Sequence, residues 1–340
     1  MQKLTAKRAI KSVAAALRLG SIRSARSAGS VNILAYHRVV ADIQKAEQTA
    51  YYGLVVSTET FRHHCKLLKE TFDVVPLDRA YAHLTGNRPS HRPLAVITFD
   101  DGYLDFYEQA FPVLLSLDLT ATVFLPTECI GKDEPLDHDR LYWLLTLTAR
   151  QEVDLTSALE RAGVTTRTVR RFAGTRDLPA LTEKLVHLPI EIRARVISEL
   201  ERKIPNLAPY PPEYKLLNWE QIREMSGAGI SFGGHTANHV VLPLESAPVL
   251  ESEIIISKGT LERELDKIVT SFAYPNGAYN THIKSLIERA GYKIAVTTEK
   301  RINRPGVDLL ALGRTSLCEE STRGLKGNYS AGVANLRLGV

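Results

Sequence analysis

The sequence predicts an α/β fold, a (β/α) barrel carrying a mostly helical insertion, and three observations support this. From residue 31 onward, short apolar or β-branched runs alternate with helix-length amphipathic segments, the pattern of a mainly parallel sheet with helices outside it. The rhythm is interrupted once, over residues 127–217, a charged stretch with helical periodicity. Three groups of chemically capable residues, around Asp100, His235 and Tyr274, each follow directly on a strand run. Parallel barrels place their chemistry at the C-terminal ends of strands, which favours a barrel over an open doubly wound sheet.

The elements follow in order. Val31–Tyr36 reads as a strand, Thr58–Glu70 as a helix, Phe72–Pro76 as a short strand and Leu77–Leu84 as a helix. Leu94–Phe99 is continuously apolar before it meets Asp-Asp-Gly, as a strand buried on both faces should be. A helix over Phe106–Leu117 leads to a strand over Thr120–Leu125. After the insertion come helix Trp219–Gly229, strand Ile230–Gly233, helix Ala247–Asp266, strand Ile268–Tyr274, helix Thr281–Gly291 and strand Lys293–Thr297. The insertion ends in the Pro-rich run Pro205, Pro209, Pro211, Pro212 and is expected to be a lid or cap. The barrel is thereby assigned to residues 31–316, between a leader and linker over 1–30 and a C-terminal tail over 317–340.

Charge is concentrated at one end. Residues 1–30 hold seven of the cations (Lys3, Lys7, Arg8, Lys11, Arg18, Arg23, Arg26) and no anion, so a net charge of +5 leaves the remainder at −2. A near-neutral body argues against a nucleic-acid surface. Cations interrupt any apolar core of a secretory signal. Leu4, Ile10, Val13, Ala14 and Leu17 instead share a helical face, which suits a helix over residues 1–20 lying on an anionic membrane surface; a solvated leader is the alternative. Cytoplasmic location, at the inner membrane surface, is the expectation, with a periplasmic one as the alternative. Cys65, Cys129 and Cys318 have no metal-site spacing and read as isolated thiols.

The first motif is Thr98-Phe99-Asp100-Asp101-Gly102. Adjacent carboxylates repel, so a division of labour is expected, one ligating a cation and the other acting as base; Gly102 permits the turn. The second is His235-Thr236-Ala237-Asn238-His239, read as two imidazoles on one helical face. With one carboxylate they give a divalent metal three protein ligands and open positions, the set Zn2+ takes, with Co2+, Ni2+ or Mn2+ as alternatives. The third, Tyr274-Pro275-Asn276-Gly277, is either a plain turn or a loop whose backbone N–H faces an oxyanion.

With these residues in view, the chain resembles the polysaccharide deacetylase family over residues 31–126 and 217–316. The resemblance implies a distorted (β/α) barrel and metal-dependent hydrolysis of the N-acetyl group of N-acetylhexosamine units in a glycan, releasing acetate. It implies Asp100 as general base and Asp101, His235 and His239 as ligands. The family's third motif often carries an Arg that steadies the base and a Tyr; here those positions fall on Ala273 and Asn276, a form similar to the exopolysaccharide-type branch. Arg314 is the candidate replacement, counted with Tyr274, Pro275 and Asn276 among the oxyanion and substrate residues. No His follows His282 to serve as the late general acid, so His37 is expected in that role, or else as a hydrogen-bonded histidine at the barrel mouth. His63, His64, His138 and His187 read as surface residues. Two other classes compete: a Mg2+ phosphoryl-transfer enzyme, which the His pair disfavours, and a non-catalytic carbohydrate-binding protein on this scaffold.

Overall fold

A computed structural model describes residues 29–50, 53–151, 154–165, 177–325 and 327–338. The leader and its amphipathic stripe lie outside the described residues. The barrel is built from β1 (Val31–Tyr36), β4 (Asp73–Val74), β5 (Leu94–Phe99), β6 (Thr122–Leu125), β7 (Ser231–Gly234), β8 (Ser271–Ala273), β9 (Ile294–Val296) and β10 (Thr315–Ser316). These form one eight-stranded parallel sheet, ordered β10-β1-β5-β6-β7-β8-β9 with β4 on β5. Leu312 bridges Val296 of β9 while Thr315 and Ser316 pair with β1, so one short segment joins the two ends of the sheet into a distorted barrel. A separate parallel pair, β2 (Arg38–Val40) and β3 (Val55–Ser57), was not legible in the sequence.

Helices cover the outside, as a sheet buried on both faces requires. In chain order they are α1 (Ile43–Thr49), α2 (Thr58–Thr71), α3 (Leu77–Leu84) and α4 (Phe111–Ser116), then α5 (Asp137–Arg150), α6 (Leu155–Arg161), α7 (Leu178–Val186) and α8 (Ile190–Lys203) in the insertion. α9 (Trp219–Gly227), α10 (Ala247–Leu265), α11 (Thr281–Arg289), α12 (Glu319–Thr322) and α13 (Ala331–Leu338) follow. Alternate strand residues serve two cores. Val31, Ile33, Val96, Phe124, Ala273, Ile294, Val296 and Leu312 pack together inside the barrel, with Leu77, Ala80 and Leu84 of α3. Leu34, Tyr36, Ala95, Ile97, Phe99, Val123, Phe272 and Ala295 face the outer helices. Phe106–Leu117 departs from the expected continuous helix. Phe106–Ala110 is a π-turn, with the Phe111 N–H reaching the Phe106 carbonyl, because Pro112 has no N–H and its ring crowds the preceding turn.

Within residues 127–217, α5 to α8 share their own apolar cluster, including Leu144, Leu185, Val196 and Leu200. The segment is tied to the barrel: Thr127 and Glu128 N–H groups donate to the Thr236 and Ala237 carbonyls, and Leu217 N–H to the Gly102 carbonyl. The stretch set apart as a tail also packs on the body. Leu317 and Leu338 join the outer core, and Glu319 accepts from Ser57 N (2.8 Å) and Thr60 Oγ1 (2.9 Å). Among the described residues no helix is long and apolar enough to cross a membrane.

Candidate active site

Strand periodicity places the polar residues. Val31 and Ile33 fill the barrel, and continuing by twos brings His37 to its mouth. The same count carries Val96 through Thr98 to Asp100, Val296 to Thr298, and Leu312 to Arg314. His37, Asp100 and Thr298 line one cleft of about 240 Å3 with Asp101, His235, His239 and Asn276. The motif groups thus share one end of the barrel because side-chain direction alternates with period two.

The adjacent carboxylates have separate partners. Arg314, 1 % exposed, grips Asp100 through two parallel bonds, Nη1 to Oδ1 and Nη2 to Oδ2, both 2.7 Å. Arg314 is itself fixed by Nε donating to the Thr297 carbonyl (2.9 Å) and Nη1 to Thr98 Oγ1 (3.2 Å). Burial would raise the Asp100 carboxyl, but the Arg314 charge and bonds outweigh it and hold the group below its ordinary value. Asp101 has φ 76°, a left-handed conformation costing a non-glycine residue about 1–3 kcal/mol; it directs this carboxylate away from Arg314. The turn is pinned by Asp100 N–H on Tyr36 O (3.0 Å) and Leu217 N–H on Gly102 O (2.9 Å). Gly102, at φ 70°, is required, since a Cβ there would lie 2.6 Å from Leu125.

Asp101 Oδ1 faces His235 Nε2 at 3.5 Å and His239 Nε2 at 3.1 Å. One ligand atom from each of the three lies within 4.8 Å of the others. Burial opposes the Asp101 charge, yet the two histidines hold its carboxyl well below the usual range. His235 donates Nδ1–H to the Ala273 carbonyl (2.7 Å), which leaves Nε2 as the lone-pair nitrogen, the arrangement that orients a ligating imidazole. Asp101 Oδ1 is buried and accepts no hydrogen bond of good geometry. A buried carboxylate oxygen without a donor, facing two imidazole nitrogens, is costly as it stands and fits a divalent cation with borderline-soft preferences.

The histidines are not on one helical face as expected. Residues 235–239 form a turn, with Thr236 at φ 63° and His239 at φ 55°; two left-handed residues rather than a helical rise bring the rings to 4.9 Å between centroids. Tyr274 and Pro275 also require correction. Tyr274 lies one residue beyond the inward-facing Ala273 and so points outward, stacking on Tyr279 (5.0 Å) and donating to the Leu310 carbonyl (3.0 Å). Pro275 is buried at the start of a tight turn and does not line the cleft. Asn276, at φ 55°, does.

His37 is lowered from its ordinary value by burial, against the opposing pull of Asp101 and Asp100. Two of the histidines read as surface residues, His64 and His138, are buried, while His187 is exposed as read. His64 is fully buried between Tyr36 Oη (3.2 Å) and Thr322 Oγ1 (3.0 Å). His138, from α5, lines the cleft 5.3 Å from the His239 ring, its Nε2–H on Tyr103 Oη (2.7 Å), which in turn donates to Asp139 Oδ2 (2.7 Å). His187 lines it too, with Glu183 and Val186 of α7. His64 continues the apolar face that Phe61, Cys65 and Leu68 make on α2, whereas nothing local signals the cleft positions of His138 and His187, which the insertion brings there through tertiary packing.

A sequence model described as polysaccharide deacetylase matches residues 87–171 and 178–295, more than half of the chain. YxkH of Bacillus subtilis (strain 168), which carries a polysaccharide deacetylase name, is 24% identical over 248 residues, covering 73% of this chain; the chain spans 60% of that relative's length. Among solved structures, the Streptococcus pyogenes deacetylase PplD in complex with acetate superposes with a TM-score of 0.57 at 22% identity, over 88% of this chain and 97% of that one. IcaB from Ammonifex degensii gives 0.57 at 17% identity, over 87% and 94%. These likenesses establish a common fold.

Proposed function

Since the chain belongs to the polysaccharide deacetylase family, we propose that it hydrolyses the N-acetyl group of N-acetylhexosamine units in a poly- or oligosaccharide, releasing acetate, with a divalent metal held by Asp101, His235 and His239. The observation that carries this reading is the separation of the two carboxylates, one clamped by Arg314 and the other set against two imidazole nitrogens.

Bound there, a divalent cation supplies Lewis acidity toward the acetamide carbonyl and lowers the pKa of water. Zn2+ is the proposed ion, with Co2+, Ni2+ or Mn2+ able to satisfy the same donors. Asp100 is the general base: both of its oxygens are held by Arg314, which keeps it ionised and fixes its direction. It takes a proton from the attacking water as the new C–O bond forms, and His37, neutral at rest because it is buried, relays that proton to the nitrogen as the C–N bond breaks. Asn276 and Thr298 form one wall of the cleft and Val186, His187 and Glu183 another; we assign the insertion the role of substrate platform on that ground. The Tyr-Pro-x-Gly form of the third motif supports an exopolysaccharide glycan as substrate. PplD, a fold neighbour with acetate bound, is consistent with acetate as product. The charge of residues 1–30 supports reversible attachment to an anionic membrane surface.

The test is acetate release from β-1,4- and β-1,6-linked N-acetylglucosamine oligomers, before and after chelation and again after adding Zn2+. Release that stops with chelator and returns with metal is expected. Oligomer binding without release at any metal loading would replace this reading with a non-catalytic carbohydrate-binding protein.

A further inference from the structure

The turn that carries both histidines has no helix or strand hydrogen bonds of its own and includes two left-handed non-glycine residues, Thr236 and His239. One bond closes it from within, Val240 N–H on Thr236 Oγ1 (3.1 Å), and the others come from outside. From β6 and the start of the insertion, Leu125 O accepts His235 N–H (3.1 Å), while Glu128 N–H donates to Ala237 O (2.8 Å). From the other side comes Glu253 on α10. Its Oε2 accepts two consecutive peptide N–H groups, Ala237 (2.9 Å) and Asn238 (2.8 Å), and its Oε1 accepts Asn238 Nδ2 (2.8 Å). Glu253 is 5 % exposed, and no ion pair with Lys or Arg is found for it among the described residues. Its carboxylate is satisfied instead by three N–H donors of the metal turn, an arrangement in which successive amides converge on one anion.

We propose that Glu253 is a positioning residue for the metal site: it clasps the middle of the His235–His239 turn and thereby fixes the distance and orientation of the two imidazoles before a cation arrives. This rests on the metal assignment above but is not contained in it, since Glu253 touches no ligand atom and lies 14 residues beyond His239 on another element. The geometry makes the dependence specific. His235 is independently held through Ala273 O and Leu125 O, whereas His239 follows directly on the Glu253-bound Asn238. Loss of the clasp should therefore release His239 more than His235.

Glu253→Gln is the informative change. The amide oxygen still accepts from the two peptide N–H groups, but its NH2 opposes Asn238 Nδ2, donor against donor. Asn238→Asp in the same chain restores a donor–acceptor pair. Zn2+ affinity of the full chain, measured by competition with a chromophoric chelator, should fall about 10- to 100-fold in Glu253→Gln, the usual size of an outer-shell effect. It should recover substantially in the double variant. The Co2+-loaded protein should show a changed d–d spectrum in the single variant only, a readout that general destabilisation does not move. Wild-type Zn2+ affinity and Co2+ spectrum in Glu253→Gln would overturn the proposal. A wild-type chain that binds neither ion would instead overturn the metal assignment on which it rests.

Discussion

Replacing Arg314 by Met removes the guanidinium that grips Asp100 and leaves a side chain of similar length. The wild-type pair is two parallel charge-assisted bonds of 2.7 Å, with Arg314 1 % and Asp100 4 % exposed. Each bond to a charged group contributes about 1.5–3 kcal/mol, and breaking a buried pair from one side costs about 3–5 kcal/mol because the remaining charge is stranded. Thr297 O and Thr98 Oγ1 also lose their donor. The expected loss in urea unfolding is therefore about 3–5 kcal/mol at pH 7. Activity should fall further than stability implies. With Arg314 gone, the largest influence opposing burial is lost and the Asp100 carboxyl moves up, while the two bonds that fixed its direction disappear. A loss of about 10²–10⁴ in kcat matches removal of a general base. Arg314→Lys keeps the charge but cannot form the fork and should fall between. Asp100→Asn strands Arg314 in turn, so it too costs stability, and Asp100→Asn with Arg314→Met should lose much less than the two singles combined. A methionine variant with wild-type unfolding midpoint and kcat would refute the argument, as would strict additivity in the double variant.

Other outcomes follow from the same coordinates. His64, held by burial at about 4, is neutral in the fold, while in the unfolded chain it titrates near 6.5. A depressed histidine contributes stability that is present above about pH 6.5 and lost as pH falls through about 4, amounting to about 2 kcal/mol at pH 5; His64→Gln should flatten that part of the stability–pH curve, and an unchanged curve would contradict it. His239→Ala should abolish tight Zn2+ binding, as read by chelator competition, with acetate release falling in parallel. Changing Val186 and His187 to Ala should raise KM for oligosaccharides more than it lowers kcat, whereas unchanged KM would remove the insertion from the substrate surface. Deleting residues 1–28 should abolish sedimentation with anionic vesicles at low salt and leave activity on soluble oligomers intact; a full-length chain that never sediments would leave the leader without that role.

What the sequence disclosed and what it withheld divide along physical lines. The strand runs and the groups that follow them are local signals, so Asp100, Asp101, His235 and His239 were legible as candidates, and so was the gap at Ala273. The pairing of Arg314 with Asp100 was expected through the family resemblance alone, because the two are 214 residues apart and only barrel closure brings them together. Tyr274 was misread for a simpler reason: it was taken with its motif, when alternation from Ala273 sends its side chain outward. The helical reading of His235–His239 failed because a four-residue spacing suits both a helix and a turn with two left-handed residues, and the choice is made by Glu253, Thr127 and Glu128, none of them local. His64 sits on the apolar face of α2 with Phe61, Cys65 and Leu68, a pattern that its residue type obscured; the position of His138 follows from packing of α5 on the barrel.

The relocation of the arginine has a structural logic. An Arg at position 273 would extend from β8 into the barrel interior now filled by Ala273, Phe124, Val296 and Leu312. Arg314 starts from the segment that closes the sheet between β9 and β1 and reaches Asp100 from the far side. Its guanidinium lies 5.8 Å over the Phe124 ring, which packs in the same interior cluster as Ala273. Asp100 is also tied to barrel closure through Arg314. Arg314 N–H donates to Glu299 O (2.8 Å) and Leu317 N–H to Ala35 O (2.9 Å), so the bonds that seal the sheet also set the direction of the guanidinium. Restoring an arginine at Ala273 in the Arg314→Met background should therefore return only part of the lost activity, since the new side chain would approach Asp100 without Thr297 O and Thr98 Oγ1 to fix its plane. Full recovery of kcat in Ala273→Arg with Arg314→Met would show that the charge alone suffices and that the closing segment adds nothing to it.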